Sequence, residues 1–598
     1  MTEQEGKRRV NLVYLSLLAV LVGIGTGYGA VAFRSLIAIV HNFGFAGAFS
    51  LSYDANRFTP PSPLGIWIFL VPIGGALIVT FLVKNFAPEA KGHGVPEVMD
   101  AIYYKGGAIR PVVVVVKSLA SAISIGTGGA VGREGPIVQI GSAFASSIGA
   151  RIGLLPWQRI TLVAAGAGGG IAATFNTPLG AVLFAVELML PEISVRTFLP
   201  VALATATATF IGRLYFGYQP SFSLPTDLPG LGSISLESML AFAGLGLVMG
   251  FAATLYVRAI YWSEDFFEEH IANDYLRHVI GMTLVGLIFA TLMVHFGHYY
   301  VEGVGYSTIQ SILDGQQSLG WLLLLLFAAK LCVTSITLGS GASGGIFSPA
   351  LFLGATLGGA YGALVEPLLP SSTMNVAAFA MIGMAAMVGS ATGAVLTAII
   401  MIFEMTLDYD IVLPMVVAVA LSVGVRRLLS AENIYTLKLA RRGRNLPKGL
   451  HANMFLVRTA GDVMNERVTI LPGDMYYEDF VHAHRDLVGH VVVRTGKHIS
   501  GLFEVGAAMR TMEGMKSSGW VMGPVAIGQL SFRDFVIARS DDVMFDVITR
   551  MTRKGANNVL VVGGNRRIPW AEDVVGIVTK DRIAESVGES LTYRGGRR

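Results

Sequence analysis

Charge is what this 598-residue sequence has least of. Only 14% of its residues are Asp, Glu, Lys or Arg, against about a quarter in ordinary soluble domains. Hydrophobic residues make up 53% and the mean hydropathy is +0.60. That balance excludes a soluble globular protein for most of the chain and indicates a polytopic membrane protein. Cysteine is almost absent. The single Cys332 excludes an intrachain disulfide and a cysteine metal cluster, and no metal site or resident cofactor is expected. The apolar part also lacks a His-Glu-x-x-His sequence, a Ser/His pair and an acid dyad, which argues against a membrane enzyme.

What charge there is lies at the ends of the apolar region. Lys7, Arg8 and Arg9 precede the first long apolar segment, and Arg426, Arg427, Lys438, Arg441, Arg442, Arg444 and Lys448 flank or follow the last. Basic residues at both ends place both termini in the cytoplasm of a multi-pass protein of the plasma (inner) membrane. Because the membrane explains these runs, they do not indicate a nucleic-acid partner. The first apolar segment, from about Leu12, has no small-residue cleavage site and reads as a retained span.

Segments of about 20 apolar residues, enough to cross a bilayer, run near Leu12–Phe33, Leu64–Val83, Phe198–Phe216, Met239–Val257, Val279–Gly297 and Leu319–Gly339. Between them lie shorter apolar pieces broken by Gly and Pro, including Pro111–Ser124, Ile137–Ala150, Arg159–Phe175, Pro178–Leu190, Leu351–Val365, Val376–Gly389, Ala394–Met405 and Ile411–Val425. Seventy-two glycines fit close helix packing and interrupted helices. Half-length helices at membrane depth must face protein or a cavity, and they commonly mark a substrate site near the midplane.

One such break reads Gly128-Gly-Ala-Val-Gly132-Arg133-Glu134-Gly135-Pro136. A charged pair at membrane depth is costly and is functional by default. Gly132 and Gly135 let the backbone approach a ligand closely, and Pro136 suits the first turn of a helix. The N-terminus of that helix favours an anion. Glu134 stands at the same end, where its own carboxylate could fill the anion site and vacate it by moving or by taking up a proton. The alternative is a Glu134 that only caps the helix and pairs with Arg133.

A weak internal repeat runs through the apolar region. Leu179-Gly180-Ala181-Val182-Leu183 resembles Thr392-Gly393-Ala394-Val395-Leu396, and each run leads into a helix with one acid, Glu187 or Glu404. The break at Gly132–Pro136 has a counterpart at Gly344-Gly345-Ile346-Phe347-Ser348-Pro349. Gly180 and Gly393 stand 213 positions apart, as do Pro136 and Pro349. A shared offset is expected of repeat-built transporters. After about Lys448 charged residues become common. Asp541–Lys554 has helical periodicity, and Asn558–Gly563 and Val574–Thr579 read as strands, with a fainter version of the same pattern over Asp462–Met509.

Four motifs over Met1 to about Lys448 resemble the CLC family of chloride channels and anion/proton exchangers: Gly92-His93-Gly94-Val95-Pro96, Gly132–Pro136, Gly344–Pro349, and Tyr435 after the last span. The resemblance implies a mainly α polytopic membrane fold, an inverted repeat of broken helices, in residues 1–448. It also implies a homodimer with a separate path for chloride or a similar small anion in each subunit. It makes Glu134 the gating glutamate at an outer anion site built by Gly132, Arg133 and Gly135. It gives the backbone N–H groups of Ile346 and Phe347 a central anion, to which the Tyr435 hydroxyl donates. Read alone, Tyr435 would better fit an interfacial anchor. Lys117 matches a basic position that adds positive potential to the path, whereas Lys330 is as well explained by snorkelling.

Two departures stand out. His93 occupies a position where the family usually has an anion-ligating serine; imidazole can donate and can titrate near neutral pH, or it can point elsewhere. Leu188 replaces the second acid of a Glu-Glu pair through which family exchangers pass protons, leaving Glu187 alone in what reads as a structural role. Leu188 therefore favours a passive anion channel gated by Glu134, with proton-coupled exchange by a different internal route as the alternative. The tail resembles a cytoplasmic α/β tandem CBS module, 449–515 and 516–598, a regulatory unit that can bind adenine nucleotides. Thr579 and Asp581 are its candidate nucleotide ligands, although the family's ribose-binding Asp position holds Arg582 and Asp581 falls one place early.

Overall fold

The computed structural model describes residues 10–225, 235–368, 375–444, 446, 454–466, 468–484, 487–517, 524–564, 566 and 568–592. Lys7, Arg8, Arg9 and Lys448, which bear on the orientation of the chain in the membrane, lie outside these residues. The chain divides into two compact units, Met1–Leu446 and Pro447–Arg598.

Apolar sequence becomes helix throughout the first unit, because a chain in hydrocarbon must satisfy its backbone polar groups internally. Eight helices among the described residues are long and apolar enough to cross a membrane. Six correspond to the long segments of the sequence. The other two, Phe347–Leu368 and Val412–Leu429, look short in sequence because glycines interrupt the hydropathy of the first and Arg426 and Arg427 end the apolar run of the second, yet each helix continues through them. Two short helices, Val95–Tyr104 and Tyr306–Leu313, were not evident from apolar runs at all. Both follow a glycine with positive φ, Gly94 at 86° and Gly305 at 78°, a conformation that glycine adopts without a Cβ penalty.

The 213-residue offset extends well beyond the motifs. Helix Glu134–Ile152 has its counterpart in Phe347–Val365, and Val112–Gly126 in Gly320–Ser340. Gly132 and Gly345, related by the same offset, exchange a reciprocal pair of backbone hydrogen bonds, 2.7 and 2.6 Å, in an antiparallel bridge. An antiparallel bridge between a residue and its own repeat counterpart places a local two-fold axis between the halves. Both helices begin two residues after their bridged glycine, so both N-termini converge on the bridge. Small residues allow the flanking helices to pack closely: a Cβ at Gly141 would overlap the Gly166 carbonyl oxygen, and one at Gly354 the Gly383 carbonyl oxygen.

The second unit contains two three-stranded sheets of the same design. In the first, Thr469–Pro472 runs parallel to His490–Thr495, which pairs antiparallel with His498–Glu504. In the second, Phe535–Arg539 runs parallel to Asn558–Val562, which pairs antiparallel with Val574–Thr579. A helix, Tyr477–Ala483 or Met544–Lys554, joins each parallel pair. Val492 and Leu502 of one sheet pack with Leu560, Val562 and Ile577 of the other.

Candidate functional site

The site forms where the three glycine-rich motifs meet. The first motif joins the third through Gly92, whose N–H donates to Ala342 O (3.0 Å) and whose carbonyl accepts from Gly344 N (3.3 Å). The second joins the third through the Gly132–Gly345 bridge. The first and second also touch, since a Cβ at Gly135 would overlap the His93 carbonyl oxygen. The glycines are thus needed because three backbone segments share one small volume.

Glu134 is 2% exposed, and its carboxylate does not cap its own helix. It reaches across the bridge to the N-terminus of Phe347–Val365. The Ser348 N–H donates to Oε2 (3.3 Å), and the hydroxyls of Ser348 and Tyr306 donate to Oε1, the latter at 2.6 Å. The Tyr306 and Ser348 hydroxyl oxygens are 2.8 Å apart. A carboxylate bound by a helix-terminal N–H and two hydroxyls marks a place where an anion is stable. Releasing or protonating the carboxylate would free those donors. Arg133 makes no ion pair with Glu134 among the described residues; its guanidinium carbon lies 5.2 Å from the Tyr306 ring centroid.

The remaining predicted residues surround this centre. Ile346 is the residue preceding the Phe347 helix, and its carbonyl accepts from the Tyr256 hydroxyl (2.9 Å). Tyr435 is 1% exposed, lies within electrostatic reach of Glu134 and precedes the short helix Thr436–Arg441. Its position is set locally: the Asn433 side-chain oxygen accepts from the N–H groups of Tyr435 and Thr436, at 2.9 and 2.8 Å. His93 is buried, and among the described residues neither ring nitrogen has a hydrogen-bond partner. Unpaired buried polar atoms are costly, which makes this imidazole available to a ligand.

Lys117 acts as a clamp on the backbone. It is fully buried, and its Nζ donates to Ala90 O (2.9 Å) and Gly92 O (2.7 Å), holding the loop that carries His93. Lys330, its repeat counterpart, does not snorkel. It is buried and donates to Val301 O (2.9 Å) and Gly303 O (2.8 Å), holding the loop that carries Tyr306.

Glu187 lies in a π-helical turn, Ala185–Met189. Its Oε1 accepts from Val395 N (2.8 Å), and its Oε2 from Thr397 N (2.9 Å) and the Thr397 hydroxyl (2.8 Å). Leu188 beside it is buried. In the second unit, Thr579 Oγ1 accepts from Arg582 N (3.1 Å) and so caps its own helix. Asp581 lies within electrostatic reach of His490, whose pKa burial holds below the ordinary histidine value.

Tyr306 and Ser348 are functional candidates that the sequence reading missed. The offset was the available signal. Tyr306 is the repeat counterpart of His93, in Gly303-Val304-Gly305-Tyr306, but without a Pro or a long apolar run this loop did not stand out.

Comparisons with known proteins agree with this fold. A family profile described as "Voltage gated chloride channel" matches residues 75–427. The H(+)/Cl(-) exchange transporter ClcA of Vibrio campbellii is 34% identical over 396 residues, covering 64% of this chain and 82% of that protein. Among solved structures, a slow cyanobacterial Cl-/H+ antiporter superposes with a TM-score of 0.64 at 25% identity, covering 73% of this chain and 99% of the antiporter. A eukaryotic CLC transporter covers 96% of this chain and 98% of its own, with a TM-score of 0.59 at 18% identity; this likeness in fold includes the tail.

Proposed function

We propose that this chain, which belongs to the voltage-gated chloride channel family, exchanges chloride or a similar small anion for protons across the plasma (inner) membrane. Both termini would be cytoplasmic and the working unit a homodimer. The observation that carries the reading is the Glu134 carboxylate seated on the N-terminus of the Phe347 helix. A side chain that occupies an anion site when ionised and leaves it when protonated ties anion movement to proton uptake. When Glu134 departs, the Ser348 N–H and the Ser348 and Tyr306 hydroxyls are released and, with the Arg133 and Gly135 N–H groups, can receive an outer anion, whereas the Gly132 N–H stays committed to Gly345 O. Ile346 and Phe347 N–H, the Tyr435 hydroxyl and the His93 imidazole can receive a central one. Backbone dipoles suit chloride, a weak base that needs several aligned donors more than a full countercharge.

The named activities of the relatives support exchange over the passive conduction expected from Leu188. Passive conduction remains the second reading because Leu188 cannot carry a proton, and Glu187 beside it spends both oxygens on a helix N-terminus. An exchanger of this sequence needs an inner proton route that does not use position 188. The deciding experiment is reconstitution in liposomes with proton and chloride movement recorded together. Uphill proton movement driven by a chloride gradient is the expected result, and chloride flux without it establishes a channel. The tail fits a tandem CBS pair with a structural or regulatory part; adenine nucleotide binding at Thr579 and Asp581 is testable by calorimetry with ATP.

A further inference from the structure

A second group of titratable side chains involves the loop that leads to Tyr306 and has no part in the mechanism above. His41, in helix Leu12–Ala46, places Nε2 3.7 Å from Glu302 Oε1; the two side chains are 8% and 12% exposed. Thr59 joins them, since His41 Nε2 is 3.2 Å from Thr59 Oγ1 and the Thr59 hydroxyl also donates to Glu302 Oε1. The His41 ring stacks on Phe45 at 4.7 Å and lies 4.2 Å from the Tyr53 ring. Among the described residues, His41 Nδ1 and Glu302 Oε2 are buried without hydrogen-bond partners. Three elements distant in sequence therefore enclose an imidazole and a carboxylate, each with one unused polar atom.

We propose that His41 and Glu302, bridged by Thr59, form a second proton-binding site that biases the Glu134 gate. The pair can hold one proton as an imidazolium–carboxylate ion pair or release it and keep the carboxylate, with Thr59 donating in both states. Tyr306, whose hydroxyl holds Glu134, stands four positions after Glu302. Lys330 pins the carbonyls on both sides of Glu302, and Gly303 N–H donates to Gly128 O (3.4 Å). A pinned backbone cannot relax when the pair changes charge, so the change acts through the field. Tyr53, Tyr299 and Lys330 lie within electrostatic reach of Glu302, and Tyr53 is also within reach of Arg133, Asp54 and Arg34.

The inference rests on Glu134 as the pH-dependent gate, and its sign follows from charge. A proton taken up by the pair adds positive charge near Glu134, stabilises its carboxylate and opposes opening. Glu302→Gln leaves the site more positive at every pH, so the midpoint of flux against pH should move to lower pH. His41→Gln leaves it more negative, so the midpoint should move to higher pH. Each shift should lie between a few tenths of a pH unit and about one unit, the range of a single-charge interaction at an intermediate dielectric. The experiment is anion efflux from liposomes at matched pH on both sides, for the parent, both Gln variants and Glu134→Gln. Shifts of opposite sign that disappear when either variant is combined with Glu134→Gln support the site. Unmoved or same-direction midpoints overturn it. A Glu134→Gln variant with the parent's pH dependence removes the gate reading instead, so the two failures are distinguishable. Should either Gln variant fail to fold, His41→Asn or Glu302→Ser carries the same expected sign.

Discussion

Glu187 and Glu404 cap each other's helices. The Glu187 carboxylate accepts from Val395 N and Thr397 N at the start of Val395–Thr406, the helix that bears Glu404. The Glu404 carboxylate accepts from Leu179 N (3.0 Å) and Gly180 N (2.7 Å) at the start of Pro178–Phe184, which leads into Glu187. The exchange repeats, between side chains, the reciprocity that the Gly132–Gly345 bridge shows in the backbone. Each half of the repeat is completed by the other, because a short helix in an apolar surround needs an acceptor for its first N–H groups.

Truncating either acid strands those N–H groups. Glu187→Ala or Glu404→Ala should lower stability by about 1–3 kcal/mol, read as a lower melting temperature in detergent, and the isosteric Gln variants should lose less. Glu187→Gln should also leave the proton-to-chloride ratio unchanged, since both oxygens are already engaged. A changed ratio would assign Glu187 to proton transfer.

Tyr306→Phe removes one donor from the Glu134 carboxylate and keeps the ring. A hydrogen bond to a charged group contributes about 1.5–3 kcal/mol, so the gate should open roughly ten- to a hundredfold more often at neutral pH. Liposome efflux measures this directly. Ser348→Ala removes a second donor and should act in the same direction.

Glu134→Gln leaves a neutral side chain at the same place. Protonation of the parent carboxylate weakens its charge-assisted hydrogen bonds, so parent flux should rise as pH falls. The variant should show high flux at neutral pH with little further rise on acidification, and no uphill proton movement.

His93→Ala tests the partnerless imidazole. If its N–H donates to the central anion, chloride binding should weaken by about tenfold, the equivalent of one hydrogen bond to a charged group, in calorimetric titration. His93→Ser should recover much of that loss because a hydroxyl can donate from the same loop.

Composition and apolar run length were enough to establish a helical membrane protein with interrupted helices, because hydrocarbon leaves a chain few other ways to satisfy its backbone. The glycine motifs and the shared offset also singled out Glu134 and the Phe347 helix, since close backbone approach and a buried acid each demand particular residue types. The target of the Glu134 carboxylate was not legible. It binds Ser348, 214 positions away in sequence, and Tyr306, 172 away, and such pairings exist only once the halves close about their axis. For the same reason the two carbonyls that Lys117 clamps were visible only in the fold. Hydropathy and spacing are local properties, whereas the direction of a side chain and the partner it meets are set by packing between segments far apart in the chain.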